Sequence, residues 1–136
     1  MYLRALDVEG FKCFGEPFTI ELHDGLNVLV GENGAGKTGV ISAIRQLFND
    51  SESGKRIISE RDFYKGFEAG AFASEELQIQ ATFSGLDDRD AVAFEEWRGA
   101  HDDAKLTCIA KHQESRGRLK HHTYGGHAST KPPDPQ

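Results

Sequence analysis

Two cysteines in 136 residues, Cys13 and Cys108, stand too far apart to form a paired-thiolate metal site, and they point to reduced thiols. Long apolar runs are missing too. None approaches the length of a bilayer span, and the N-terminus lacks the apolar core of a secretory leader, so no membrane partner is expected. Basic charge is short: 16 Lys and Arg against 22 Asp and Glu leave a net charge of −6. The surface as a whole therefore does not attract nucleic acid, which leaves DNA contact to a local basic patch or to another part of a larger protein. No internal repeat is visible. With 38% hydrophobic and 28% charged residues, the composition is that of one soluble domain, expected in the cytoplasm.

What is present centres on Gly31-Glu32-Asn33-Gly34-Ala35-Gly36-Lys37-Thr38. This stretch fits the phosphate-loop pattern G-x-x-x-x-G-K-[ST] at every fixed position. Glycines let successive backbone N–H groups turn inward around phosphate oxygens, and the following helix adds the positive end of its dipole. Lys37 reaches the β- and γ-phosphates as a point charge, and the Thr38 hydroxyl can ligate Mg²⁺. The bland alternative is a Gly-rich turn that caps a helix. The flanks speak against it: Leu26 to Val30 reads as a short buried strand, apolar on both faces and so central in its sheet. After the motif, Val40, Ile41, Ile44, Leu47 and Phe48 form the apolar stripe of a helix, with Ser42, Arg45 and Gln46 on or near its other face.

Elsewhere the pattern is mostly that of strands. Residues 2 to 9 alternate, with Leu3, Ala5 or Leu6, and Val8 as the inward set, and Pro17 to Leu22 alternates again. His23-Asp24-Gly25 is a turn. Ser59 and Asp62 form a capping box, residues 65 to 74 read as an exposed loop, and Glu76 to Phe83 is a strand with one wet face. Asp87 to Gly99 is expected to be helical, with Val92, Phe94 and Trp97 packing inward. Leu106 to Lys111 and Leu119 to Tyr124 are expected to pair as a hairpin. From Gly125 to Gln136 a proline-rich, weakly apolar stretch predicts a disordered tail, leaving residues 1–124 as the folded lobe.

The first half resembles the start of ABC-type ATPase heads of the SMC and RecF kind. Gly10-Phe11-Lys12-Cys13-Phe14 follows the first strand as "GFKSF" or "NFRSF" does there, and Asp24-Gly25-Leu26-Asn27-Val28-Leu29-Val30 leads into a "GxNGxGKS/T" loop. Residues 59–66 and the strand led by Glu75 and Glu76 look most like the OLD family, ATPases that carry a C-terminal Toprim nuclease domain. The resemblance implies an α/β fold with a mixed sheet, the N-terminal lobe of a P-loop NTPase of the ABC-head type. It implies ATP and Mg²⁺ as cofactors, held by Gly31 to Thr38 with Thr38 at the metal. It also implies DNA as a partner of the full-length protein, pairing of two heads, and work in repair or phage defence.

Departures limit the catalytic reading. Such heads hydrolyse ATP with a Walker B strand ending in Asp and usually Glu, and with a signature loop from a second head. Here Asp87-Asp88 follows a strand that alternates with polar residues, and Ser84-Gly85 is a fragment of a signature loop. The catalytic residues are thus unassigned, and hydrolysis is expected to need elements outside this stretch. The alternatives are a non-hydrolysing nucleotide-sensing or docking module and a degenerate fragment.

Other signals read as ordinary surface. Asp88-Arg89-Asp90 has a Mg²⁺-binding spacing but sits in a charged turn. His121 and His122 point to opposite faces of a strand, so with His112 and His127 they do not converge on a metal. Arg116, Arg118, Lys120 and Lys111 form a small basic hairpin, Glu95 and Glu96 solubilise a helix, and Gln78 and Gln80 lie inside a strand. Arg4, Lys12 and Arg45 lie near the expected ATP-site strands, and sequence does not separate an approach to the phosphates or base from surface placement for them.

Overall fold

The computed structural model describes residues 1–32, 36–48, 58–66, 73–99, 103–113 and 118–126. Five strands form one antiparallel sheet in the order β2-β1-β3-β4-β5: β1 (Tyr2–Glu9), β2 (Phe18–Glu21), β3 (Glu76–Ser84), β4 (Ala104–Gln113) and β5 (Arg118–Gly125). Strand β1 explains its own ambiguous alternation. Its register against β3 shifts between Leu3 and Ala5, so Arg4 is an extra residue and the inward phase changes there. Beyond the shift, Ala5, Leu6 and Val8 are buried.

Cross-strand rows carry the core. Val8 lies beside Ile79 and Ile79 beside Cys108; Leu6 lies beside Ala81 and Ala81 beside Leu106. All six are buried in one cluster, over which Val40, Ala43 and Leu47 of helix α1 (Lys37–Leu47) pack. Each large apolar side chain removed from water contributes about 1.5–3 kcal/mol, so this sheet–helix contact is what holds α1, and with it the loop's lysine, in place. On another row the half-buried Gln80 amide donates to the buried Thr107 hydroxyl at 2.9 Å, giving that hydroxyl a partner.

Several expectations change. Leu26 to Val30 forms no strand: Leu26 is 91%, Val28 71% and Val30 85% exposed. A run apolar on both faces needs neighbours on both sides, and no described strand pairs with it. The turn before it does form, closed by the Asn27 side chain, which accepts from the His23 N–H and donates to the His23 carbonyl. On α1 the buried stripe is Gly39, Val40, Ala43, Gln46 and Leu47, with Ile41 and Phe48 exposed. The stripe centres on small Ala43, which lets the helix approach the sheet and brings the Gln46 side chain under cover.

The expected helix over Asp87 to Gly99 is shorter. Helix α2 (Asp88–Ala93) ends at Phe94 and a 3₁₀ turn, Glu95–Trp97, follows. Val92 faces solvent at 77% exposure, while Trp97 packs on the core and meets Phe94 with ring centroids 5.1 Å apart. One arm of the Ser59–Asp62 box forms, the Ser59 N–H donating to Asp62 Oδ2 at 2.9 Å, while Asp62 N–H donates to the Ser59 carbonyl at 3.0 Å, across a 3₁₀ turn, Glu60–Asp62. Strands β4 and β5 pair as the expected hairpin, and β5 runs to Gly125. The rest of the expected tail from residue 127, the hairpin tip with Arg116, the loop over 67–72, His127, and the side chains of His112, Arg118, Lys120, His121 and His122 lie outside the described residues.

Candidate phosphate-binding cleft

Helix α1 begins where the phosphate loop ends. Gly36 is its N-cap at φ 98°, in the left-handed region that a side chain disfavours, and its carbonyl accepts the first helical bond from Val40 N–H at 3.0 Å. With no side-chain cap bond there, the first-turn N–H groups of α1 remain donors for an anion. The Lys37 ammonium donates to the Gly31 carbonyl, folding the lysine back across the loop it follows. Thr38 is exposed at the same mouth. Gly31 and Glu32 run as exposed irregular chain, and Asn33, Gly34 and Ala35 lie outside the described residues.

A second loop forms the opposite wall. After β1, Gly10 to Gly15 folds into a tight hairpin closed by Phe11 N–H to the Phe14 carbonyl at 3.0 Å and Phe14 N–H to the Phe11 carbonyl at 2.9 Å. Phe11 is buried and Phe14 stacks on Phe18 at 4.9 Å, so the hairpin is anchored by its aromatic ends while its tip, Lys12-Cys13, faces α1. The two walls enclose a cleft of about 410 Å³ lined by Lys12, Cys13, Gly36, Lys37, Thr38, Gly39 and Ser42. That volume lies within the range of about 300–1,000 Å³ usual for small-ligand sites. Two ammonium groups, two hydroxyls and a helix N-terminus suit a polyphosphate with its metal. No carboxylate lines the cleft among the described residues.

Beyond the motif, Gly39 and Ser42 join the site from the same helix, whereas Lys12 and Cys13 reach it from a separate loop that the motif does not reveal. Their signal was a six-residue Gly-bounded hairpin between two strands, but its approach to α1 is a tertiary fact. The other candidates lie elsewhere. Arg4 donates to Ser84 Oγ at 2.8 Å and pairs with Asp103 at 3.5 Å, and Arg45 is exposed in the last turn of α1. Asp87 and Asp90 cap α2 reciprocally, and Asp90 also meets the N-terminal ammonium at 3.4 Å, so the D-x-D stretch has a structural use. Asp87-Asp88 follows the end of β3, where Ser84 pairs with Tyr2. The cleft is at the other end of β1, roughly 24 Å along an eight-residue strand. Lys111 pairs with Glu76 at 3.5 Å. Among the described residues no group of three His, Cys, Asp or Glu converges as a metal site, and no helix is long and apolar enough to cross a membrane.

A helix that opens on Lys37 and docks on an antiparallel sheet is an arrangement that known ATPase heads share. SMC heads share the fold. One neighbour, an SMC ATPase studied for ATP-driven dimerization and DNA-stimulated activation, superposes with a TM-score of 0.62 at 20% identity, covering 93% of this chain and 71% of that one. The SMC head domain from Thermotoga maritima gives 0.59 at 21% identity, over 93% and 38% of the two chains. The chain belongs to the AAA ATPase domain family, whose model matches residues 1–124. In sequence it is similar to the chromosome partition protein Smc of Halothermothrix orenii, 36% identical over 53 residues, and to that of Chlorobaculum tepidum, 42% identical over 53 residues. Each match spans 39% of this chain and 4% of the relative's length.

Proposed function

We propose that this chain binds ATP with Mg²⁺ through Gly31 to Thr38, as the N-terminal part of an OLD-like or RecF-like ATPase that acts on DNA in repair or phage defence. The supporting observation is the convergence of Lys37, Thr38 and the free first turn of α1 on one cleft of small-ligand size. In this reading Lys37 leaves the Gly31 carbonyl for the β- and γ-phosphates, the amides from Asn33 to Lys37 hold the β-phosphate, and Thr38 Oγ1 ligates the metal. Bound Mg²⁺ supplies charge neutralisation of the triphosphate.

Hydrolysis in this reading is completed by chain beyond the lobe and by a second head, in a cytoplasmic protein. Two observations favour that division of labour: the cleft has no carboxylate to orient water among the described residues, and the apolar run Leu26 to Val30 stands open to a further layer. The same lack of a carboxylate also supports the second reading, a nucleotide-sensing or partner-docking module that never turns ATP over. Titration with Mg²⁺·ATP tests the binding claim. Wild type is expected to bind saturably and Lys37→Ala to lose at least about tenfold in affinity, a charge-assisted contact to phosphate being worth about 1.5–3 kcal/mol. Equal affinity in the two proteins would refute it. Turnover that appears only when the remainder of the parent protein or a partner is added selects the ATPase reading, and binding without turnover in every context selects the module.

A further inference from the structure

The tip of the β1–β2 hairpin carries an unexplained outlier. Lys12 has φ 54°, the one positive-φ residue other than glycine among the described residues, and such a conformation needs outside support. Support comes from the segment around the 3₁₀ turn: Lys12 N–H donates to the Asp62 carbonyl and Tyr64 N–H donates to the Gly10 carbonyl, both at 2.8 Å. The strained backbone aims the Lys12 side chain so that it lines the phosphate cleft while its ammonium pairs with Asp62 Oδ1 at 2.9 Å. Asp62 is the less exposed partner, 14% against 34%, and its other oxygen holds the Ser59 N–H. One ammonium thus stands between two anionic claims: a carboxylate fixed to residues 59–62, and whatever anion enters beside Lys37.

We propose that Lys12 is a second phosphate-binding cation of this cleft and that Asp62 competes with the nucleotide for it, so that nucleotide binding loosens the 58–64 segment from the hairpin. The proposal rests on the reading that the cleft takes a polyphosphate. Its physical basis is charge. A triphosphate carries more negative charge than one carboxylate, and an ammonium carries a single positive charge in either place. Asp62 therefore opposes binding twice, by holding Lys12 and by repelling the phosphates. A merely structural Asp62 would act the other way, because weakening the wall of the cleft lowers affinity.

The test is Mg²⁺·ATP affinity of the full chain in five variants. Lys12→Met is expected to weaken binding about tenfold and Lys12→Arg to restore most of it. Asp62→Asn keeps an oxygen for the Ser59 N–H but removes the charge, and is expected to strengthen binding about three- to tenfold. That gain should shrink in the Lys12→Met, Asp62→Asn double variant, the signature of competition through one group. Lys105→Met, the same charge change on β4 opposite Thr82, should leave affinity unchanged. Amide exchange adds a readout of the segment itself: ATP is expected to speed exchange at Ser59 in wild type and not in Lys12→Met. Weaker binding in Asp62→Asn, or Lys12→Met equal to wild type while Lys37→Ala fails to bind, overturns the proposal and leaves the cleft's function standing. Failure of wild type to bind any nucleotide overturns the reading beneath it.

Discussion

At the scale of single residues, the two thiols report on the account independently. Cys13 is exposed on the wall of the cleft, and Cys108 is buried in the sheet opposite Ile79. Alkylation of the native protein is expected to label Cys13 alone, with Cys108 reacting only on unfolding, and Mg²⁺·ATP is expected to slow the labelling of Cys13. Mass spectrometry of the alkylated chain with and without ATP checks both. Burial pushes the Cys108 thiol up from its ordinary value of 9.0, and a hydrogen bond with the Thr123 side chain offsets part of that. Above that value the unfolded chain releases a proton that the folded chain keeps. The contribution is thus fully present below pH 9.0 and lost as pH rises from there through the higher folded value. Urea midpoints between pH 8 and 11 should therefore fall more steeply for wild type than for Cys108→Ala.

At the scale of elements, the junction of β5 with the 3₁₀ turn depends on a missing side chain. A Cβ at Gly125 would lie 2.0 Å from Cδ1 and Nε1 of Trp97, a contact that neither backbone nor indole can absorb in place. Gly125→Ala is expected to displace the chain's single tryptophan, red-shift its fluorescence, and cost about 1–3 kcal/mol in chemical unfolding. This same region shows what sequence makes legible. Strands β1 and β3 could be read because each buries mainly one face, so their alternation carries the register, whereas β4 is buried on both faces from Leu106 to Ala110. Val92 and Ile41 could not, because apolar identity does not say which side of a short helix the sheet will take. The phosphate loop was legible from fixed spacing along one segment. The placement of Lys12 on the cleft wall was not, since it is set by a hydrogen bond from its N–H to the carbonyl of a residue fifty positions away, Asp62.

At the scale of the whole molecule, the lobe has one well-filled side and one open side. Ile79 is fully buried among residues of three strands and α1, whereas Val30 is 85% exposed. Ile79→Ala is expected to cost about 2–5 kcal/mol in urea unfolding, and Val30→Ala to change stability by no more than about 0.5 kcal/mol. A large cost at Val30 would mean that Leu26 to Val30 is buried after all and that the lobe closes on itself. The proposed division, with binding in this lobe and turnover completed elsewhere, rests on that open run and on the distance of Asp87-Asp88 from the cleft.

The most direct measurement of the central claim is a residue-resolved NMR titration of the labelled chain with Mg²⁺·ATP. Amide shifts are expected to concentrate at Lys12, Cys13, Gly36, Lys37 and Thr38 on the two walls of the cleft, while α2 and the β4–β5 pairing stay unmoved. Shifts centred elsewhere, or none at saturating nucleotide, would contradict the claim.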